Sequence, residues 1–177
     1  MIKNYLEPTG FAAGYRRLSL DDFEEAGIRV AERRYEAQEA IFAPGDPDEL
    51  LYFVLSGTVQ LSKLYGDYKE ATVALLKDGE LFGELSLQEG SGQRLFAHAL
   101  TDVRVAVIRK RMLVEVLKRD PELAVKLFFS LYERFEQSEE LIERLLDREV
   151  SARLGKLLQN LGDRFGETNG SATVLDI

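Results

Sequence analysis

Leu51-Tyr52-Phe53-Val54-Leu55-Ser56-Gly57-Thr58-Val59-Gln60-Leu61-Ser62-Lys63-Leu64-Tyr65 decides the fold. Two runs rich in aromatic and aliphatic residues, Leu51–Leu55 and Thr58–Tyr65, stand either side of Gly57. Runs of that length around a glycine read as two strands joined by a turn. The pattern repeats outward in Glu70–Leu76, Leu95–Leu100 and Val103–Ile108. Gly45, Gly66, Gly79, Gly83 and the Gly90-Ser91-Gly92 cluster punctuate it. Short strands at near-regular spacing predict an antiparallel sandwich or barrel from about residue 28 to 109. Pro44-Gly45-Asp46 is a turn with a mechanism: proline presets one φ and glycine tolerates a positive one. Upstream, Ser19-Leu20-Asp21-Asp22-Phe23 reads as a cap and a short helix. Residues 1–17 carry no clear pattern and read as a tail.

After residue 109 the period becomes helical. Lys110–Arg119 predicts a short helix. Asp120-Pro121-Glu122 is a strong start signal, and a long helix without Gly or Pro follows to about Leu146. Leu127, Leu131, Arg134, Ser138, Leu141 and Leu145 recur at alternating spacings of four and three, the seam that one helix buries against another. A second apolar stripe runs through Phe128, Phe135, Ile142 and Leu146. A helix apolar on two sides needs two neighbours, so the sandwich and a second copy of the chain are expected to flank it. The seam residues are therefore the expected homodimer interface. A further helix carries Val150, Leu154, Leu157, Leu158, Leu161 and Phe165 on one face. Asp147-Arg148-Glu149 is read as a bend before it and as the expected hinge. Gly162 and Gly166 are read as stop signals, Glu167–Ser171 as a turn, and Ala172–Ile177 as a strand that opens without a partner. That stray strand predicts a further domain beyond it. The expected partition is 1–17 tail, 18–110 sandwich, 111–146 short and long helices, and 147–177 hinge-side helix and domain start.

Composition narrows the chemistry. The 177 residues are 45% apolar, which suits one sensory module with appended helices. No apolar run approaches the ~18 residues of a membrane span. The N-terminus lacks a secretory layout, so a cytoplasmic location is expected by elimination. With no cysteine, thiolate zinc and iron–sulfur centres are excluded. The one histidine, His98, makes no metal site alone and reads as a packing or hydrogen-bonding residue. A net charge of −8 argues against DNA binding by this stretch itself. No nucleophile–histidine pair and no phosphate loop with Lys and Ser/Thr stands out, so no catalytic residues are assigned and an enzyme is not expected.

One constellation carries function. Leu81-Phe82-Gly83-Glu84-Leu85-Ser86-Leu87 breaks the strand pattern, and Gly83 permits close backbone approach. The amides that follow can form an anion site, and Arg94 stands about ten residues on. Loop amides with one arginine hold a carboxylate or phosphate. The alternative is that Gly83 closes a tight turn and Arg94 pairs with Glu84. Arg134 and Ser138 are polar within an apolar seam. A bare guanidinium there is costly unless paired, either by an anionic ligand or by Glu139; single polar seam residues also set register.

These residues resemble a family. Ile41-Phe42-Ala43-Pro44-Gly45-Asp46, Tyr52-Phe53-Val54-Leu55-Ser56-Gly57, the Phe82-Gly83-Glu84-Leu85 cassette with Arg94, and Val150-Ser151-Ala152-Arg153-Leu154 are similar to the sensory half of cAMP receptor protein/FNR-type transcription regulators, over about residues 35–166. The resemblance implies a jelly-roll sandwich followed by a long dimerisation helix. It implies a homodimer that meets DNA and RNA polymerase through a C-terminal winged helix-turn-helix, which this stretch lacks. The phrases IFAPGDPDE, LSKLY, TVALL and LFGELSL are similar to the nitrogen-control branch, whose members sense 2-oxoglutarate. Carried over, the effector ligands are Phe82, Gly83, Glu84, Leu85, Arg94, Arg134 and Glu139, with Glu84 replacing an apolar residue. Glu84 instead matches the cAMP-binding members, where it meets the ribose, and Ser138 falls where they meet the adenine. Those members carry a hydroxyl after the cassette arginine, where this chain has Leu95. A cyclic phosphate would lose a contact worth about 1 kcal/mol. The resemblance thus favours 2-oxoglutarate over cAMP, beside a member that needs no effector and pairs Arg94, Glu84 and Arg134 internally. A stand-alone dimeric sensory module is the other reading.

Overall fold

The computed structural model describes residues 17–65, 69–84, 90, 92–146, 150–169 and 172–175. The chain separates into two compact units, residues 1–130 and 131–177.

The first unit is a sandwich with helices on one side. Its elements are α1 (Leu20–Glu25), β1 (Ala31–Tyr35), β2 (Ala40–Phe42), β3 (Leu50–Ser56), β4 (Val59–Tyr65), β5 (Lys69–Leu76), β6 (Leu81–Phe82), β7 (Phe96–Ala99), β8 (Val103–Arg109), α2 (Lys110–Leu117) and the start of α3 (Pro121–Leu146). Two antiparallel four-stranded sheets form, in the orders β1-β8-β3-β6 and β2-β7-β4-β5. The chain passes back and forth between the two sheets, the weave of a jelly roll. The expected fold class is therefore found, with the strands foreseen at 51–55, 58–65, 70–76, 95–100 and 103–108 in place.

Period-two alternation explains how one strand serves two cores. Val103, Val105 and Val107 of β8 point between the sheets, against Val59 and Leu61 of β4 and Phe82 of β6. Ala106 and Ile108 point the other way, into a second core with Phe23, Leu113, Val116, Leu123 and Leu127 from the helices. The helices thus cover the outer face of the first sheet, and β8 is apolar on both sides because both are buried. Phe23 meets Phe53 edge-to-face at 5.3 Å.

Local chemistry places the helices. Asp22 Oδ2 accepts from the Ser19 amide at 2.7 Å and the Ser19 hydroxyl at 2.8 Å, closing the first turn of α1. Asp120 Oδ1 accepts from the Leu123 amide at 3.0 Å, so the predicted cap starts α3. Two buried ion pairs escape sequence reasoning. Lys126 Nζ donates to Asp22 Oδ1 at 2.9 Å, tying α1 to α3, and Lys110 Nζ donates to Asp48 Oδ2 at 3.2 Å.

The second unit holds the rest of α3, then α4 (Val150–Phe165), β9 (Gly166–Asn169) and β10 (Ala172–Leu175). Three expectations need correction here. Gly162 does not stop the helix; α4 runs through it to Phe165, because one glycine costs only about 1 kcal/mol inside a helix. The stretch read as a turn from Glu167 contains strand β9 instead. The strand at 172–175 is not unpartnered: Val174 pairs with Glu167 and Thr173 with Thr168 in an antiparallel hairpin. The pairing gives the strand a local partner, so the premise that it is unpartnered does not hold. The predicted bend at 147–149 and most of the tail at 1–17 lie outside the described residues. No described helix is long and apolar enough to cross a membrane.

Candidate effector site

Strand β6 is two residues long and exists to deliver a turn. Tyr52 pairs with Phe82 and Phe53 with Leu81. The Tyr52 and Phe82 rings stack at 5.2 Å, and Phe42 leans on both at 5.5 and 5.9 Å. Burial pushes the Tyr52 phenol above its ordinary pKa. This aromatic floor fixes where the chain leaves β6.

Gly83 makes the exit. Its φ is +115°, and a Cβ there would lie 3.0 Å from the Leu50 carbonyl oxygen and 3.2 Å from Leu51 Cδ2. Glycine answers both the conformation and the crowding. The close approach expected at Gly83 is present. Glu84 follows, only 6% exposed. Its carboxylate accepts from Arg94 Nε at 2.6 Å and Nη2 at 3.3 Å. The Arg94 side chain is 73% exposed. The hydrogen bond it donates to Glu84 raises the Arg94 pKa further, and the guanidinium stays charged at every relevant pH. Two of its five N–H donors serve Glu84; the other three meet no acceptor among the described residues.

Arg94 is presented by a pinned segment. Gln93 O accepts from the Gly45 amide and Gln93 N donates to Asp46 O, both at 2.9 Å. A Cβ on Gly92 would sit 3.3 Å from Gly45 Cα and 3.4 Å from Asp46 O, so glycine at 92 lets the two backbones approach this closely. Gln93 is buried, and its Nε2 finds no acceptor among the described residues. The predicted turn at Pro44-Gly45-Asp46 is thus the anchor of the cassette arginine, a role that neither motif reveals alone.

Phe82, Gly83, Glu84 and Arg94 lie together in the first unit; Leu85 lies outside the described residues. Arg134, Ser138 and Glu139 belong to the second unit. Ser138 Oγ donates to the Arg134 carbonyl at 3.0 Å, which commits its hydroxyl within the helix. Of the seam, Leu127 is buried in the core of the first unit, while Leu131 is exposed and Leu141 is half-buried. The side chain of Leu145 is outside the described residues. The other stripe is open: Phe128, Phe135 and Ile142 are all exposed. No three His, Asp or Glu side chains cluster for a metal among the described residues.

The shortest strand of the jelly roll thus delivers a Phe-Gly-Glu segment to an arginine. Residues 32–120 match the Cyclic nucleotide-binding domain family. The chain is 37% identical over 145 residues to the Global nitrogen regulator of Nostoc sp., covering 81% of this chain and 65% of that protein. It is 37% identical over 168 residues to the Global nitrogen regulator of Synechocystis sp., covering 94% and 72%. The solved structure of FixK2 from Bradyrhizobium japonicum superposes with a TM-score of 0.69 at 25% identity, covering 80% of this chain and 70% of that one. The chain belongs to the cAMP receptor protein/FNR family of transcription regulators, and it spans about two thirds of the length of these curated relatives.

Proposed function

We propose that the chain is the effector-sensing and dimerisation part of a transcriptional regulator, and that its effector is a small dicarboxylate, with 2-oxoglutarate favoured over cAMP. The observation that carries this is the Glu84–Arg94 fork. Glu84 occupies the Nε/Nη2 edge of the guanidinium, which leaves the Nη1/Nη2 end to take an incoming carboxylate. Glu84 then acts as a positioning residue. A dicarboxylate needs nothing from Glu84, whose two oxygens each already accept one bond from Arg94. Backbone amides near Gly83 would add donors to the bound anion. Arg134 and Glu139 are the expected ligands on α3; the seam residues remain the expected contact with a second copy, and the exposed Phe135 and Ile142 would extend that contact. DNA and RNA polymerase would be met by a domain outside this stretch. Differential affinity for two arrangements of paired helices would couple the effector to DNA binding.

The same ion pair favours one other reading. A buried carboxylate that already neutralises Arg94 is what an effector-independent member needs. Calorimetric titration of the purified chain separates the two. The dicarboxylate reading expects saturable heat from 2-oxoglutarate, little from cAMP, and loss of the heat in Arg94→Ala. Heat from cAMP alone reverses the assignment, and heat from neither supports the effector-independent member.

A further inference from the structure

We propose that the open outer face of the β2-β7-β4-β5 sheet carries a second binding site, for a small uncharged polyhydroxylated molecule such as a monosaccharide. The strand register places its walls. Val59, Leu61, Ala97 and Ala99 point into the sandwich, so Gln60 and His98, directly opposite each other, point out. The described helices α1 and α2 pack on the other sheet. On that outer face a solvent-open cleft of ≈ 390 Å³ is lined by Gln38, Gln60, Glu70, Thr72, His98 and Leu100. That volume suits a small ligand.

The donors and acceptors are already oriented. Gln60 Nε2 donates to Thr72 Oγ1 at 2.6 Å, which leaves the Gln60 carbonyl as an acceptor and the Thr72 hydroxyl proton as a donor. The Ser62 hydroxyl, fully buried beneath, donates to Glu70 Oε1 and leaves Oε2 to accept. The His98 ring lies nearly parallel to Phe96, centroids 6.2 Å apart and planes 16° from parallel, with neither nitrogen bonded among the described residues. Gln38 has a φ of +70°, the one non-glycine in the left-handed region among the described residues. Its amide donates to Ala99 O at 2.7 Å, which holds that conformation. Such outliers persist where the surroundings over-determine them, and they concentrate at ligand clamps.

Charge selects the ligand class. Glu70 is the one carboxylate in the lining, and no Lys or Arg is present, so an anion is disfavoured. Two possible metal ligands, His98 and Glu70, fall short of a cation's needs. Alternating donors and acceptors match hydroxyl groups, each of which gives and takes one bond, and Leu100 offers an apolar contact for a sugar's C–H face.

Amide-resolved NMR titration of the chain with D-glucose and D-ribose tests this, with putrescine and 2-oxoglutarate run in parallel. The expectation is saturable shifts at Gln60, Thr72 and His98 from at least one sugar, with a Kd on the order of millimolar for so few atoms. Loss of one hydrogen bond in His98→Ala or in Thr72→Val should weaken binding roughly fivefold, and Arg94→Ala should leave it unchanged. Thr72 is exposed, so its variant remains informative if His98→Ala fails to fold. The proposal is overturned if neither sugar gives saturable shifts up to ~50 mM, a concentration well above such a Kd. It is equally overturned if both variants bind undiminished, or if putrescine or 2-oxoglutarate takes the cleft in preference.

Discussion

Asp22→Asn isolates the buried pair that ties α1 to α3. Burial alone would raise the Asp22 pKa, but the hydrogen bonds from Lys126 and Ser19 outweigh it and hold the carboxyl at about 2, against an ordinary 3.8. The drop corresponds to about 2.5 kcal/mol of folding free energy near neutral pH. Lys126 is pushed up by the same contact, so its shift is not counted again. Because the folded pKa lies below the unfolded one, the contribution is complete above the unfolded value and fades as pH falls through about 2. Linkage leaves about 1.3 kcal/mol at pH 3 and under about 0.5 at pH 2. The amide that replaces the carboxylate can still accept from Ser19, but it cannot neutralise Lys126. Glu122 remains 3.1 Å from Lys126, though it is 74% exposed and therefore screened. The variant should lose about 2–3 kcal/mol at pH 7, near the lower end for breaking a buried pair. Urea unfolding followed by far-ultraviolet circular dichroism at pH 7 and pH 3 measures both values. A loss below about 0.5 kcal/mol at pH 7, or a difference that stays constant down to pH 3, refutes the reasoning.

Gly83→Ala should cost about 1–3 kcal/mol and disturb the Glu84–Arg94 fork, because the new methyl meets the Leu50 carbonyl at a positive φ; thermal unfolding reads the first effect and effector calorimetry the second. Asp120→Ala removes the cap of α3 and should cost about 1 kcal/mol by urea unfolding, with Asp120→Asn retaining most of it. Phe135→Ser with Ile142→Ser should shift the chain towards monomer in sedimentation while the first unit keeps its melting midpoint, since both side chains are exposed in the single chain. Glu32→Gln should change stability by less than about 1 kcal/mol, because its pair with Arg104 is exposed.

Patterns with a strong local cause were legible in the chain. Alternation in Val103–Ile108, the glycine break at Gly57 and the Asp120-Pro121 start each specify an element within a few residues, and together they define a β-sandwich followed by a long helix. Edge elements were not legible. Ala31–Tyr35 is mostly exposed and carries Glu32-Arg33-Arg34, so it forms a strand only because β8 offers a ladder to it. Gly166–Asn169 has turn composition and becomes a strand only beside Ala172–Leu175.

The cassette divides the same way. Spacing alone picks out Gly83, Glu84 and Arg94 as residues able to meet, since a glycine-permitted turn and an arginine ten residues on are local facts. Whether the guanidinium is bare or already clamped, and by which edge, depends on the burial of Glu84 and on the pinning of Gln93 against Gly45 and Asp46. Those contacts join segments nearly fifty residues apart. Sequence encodes local preference; partners that distant are chosen only when the two sheets close on each other, and closure decides which polar groups are left to meet a ligand.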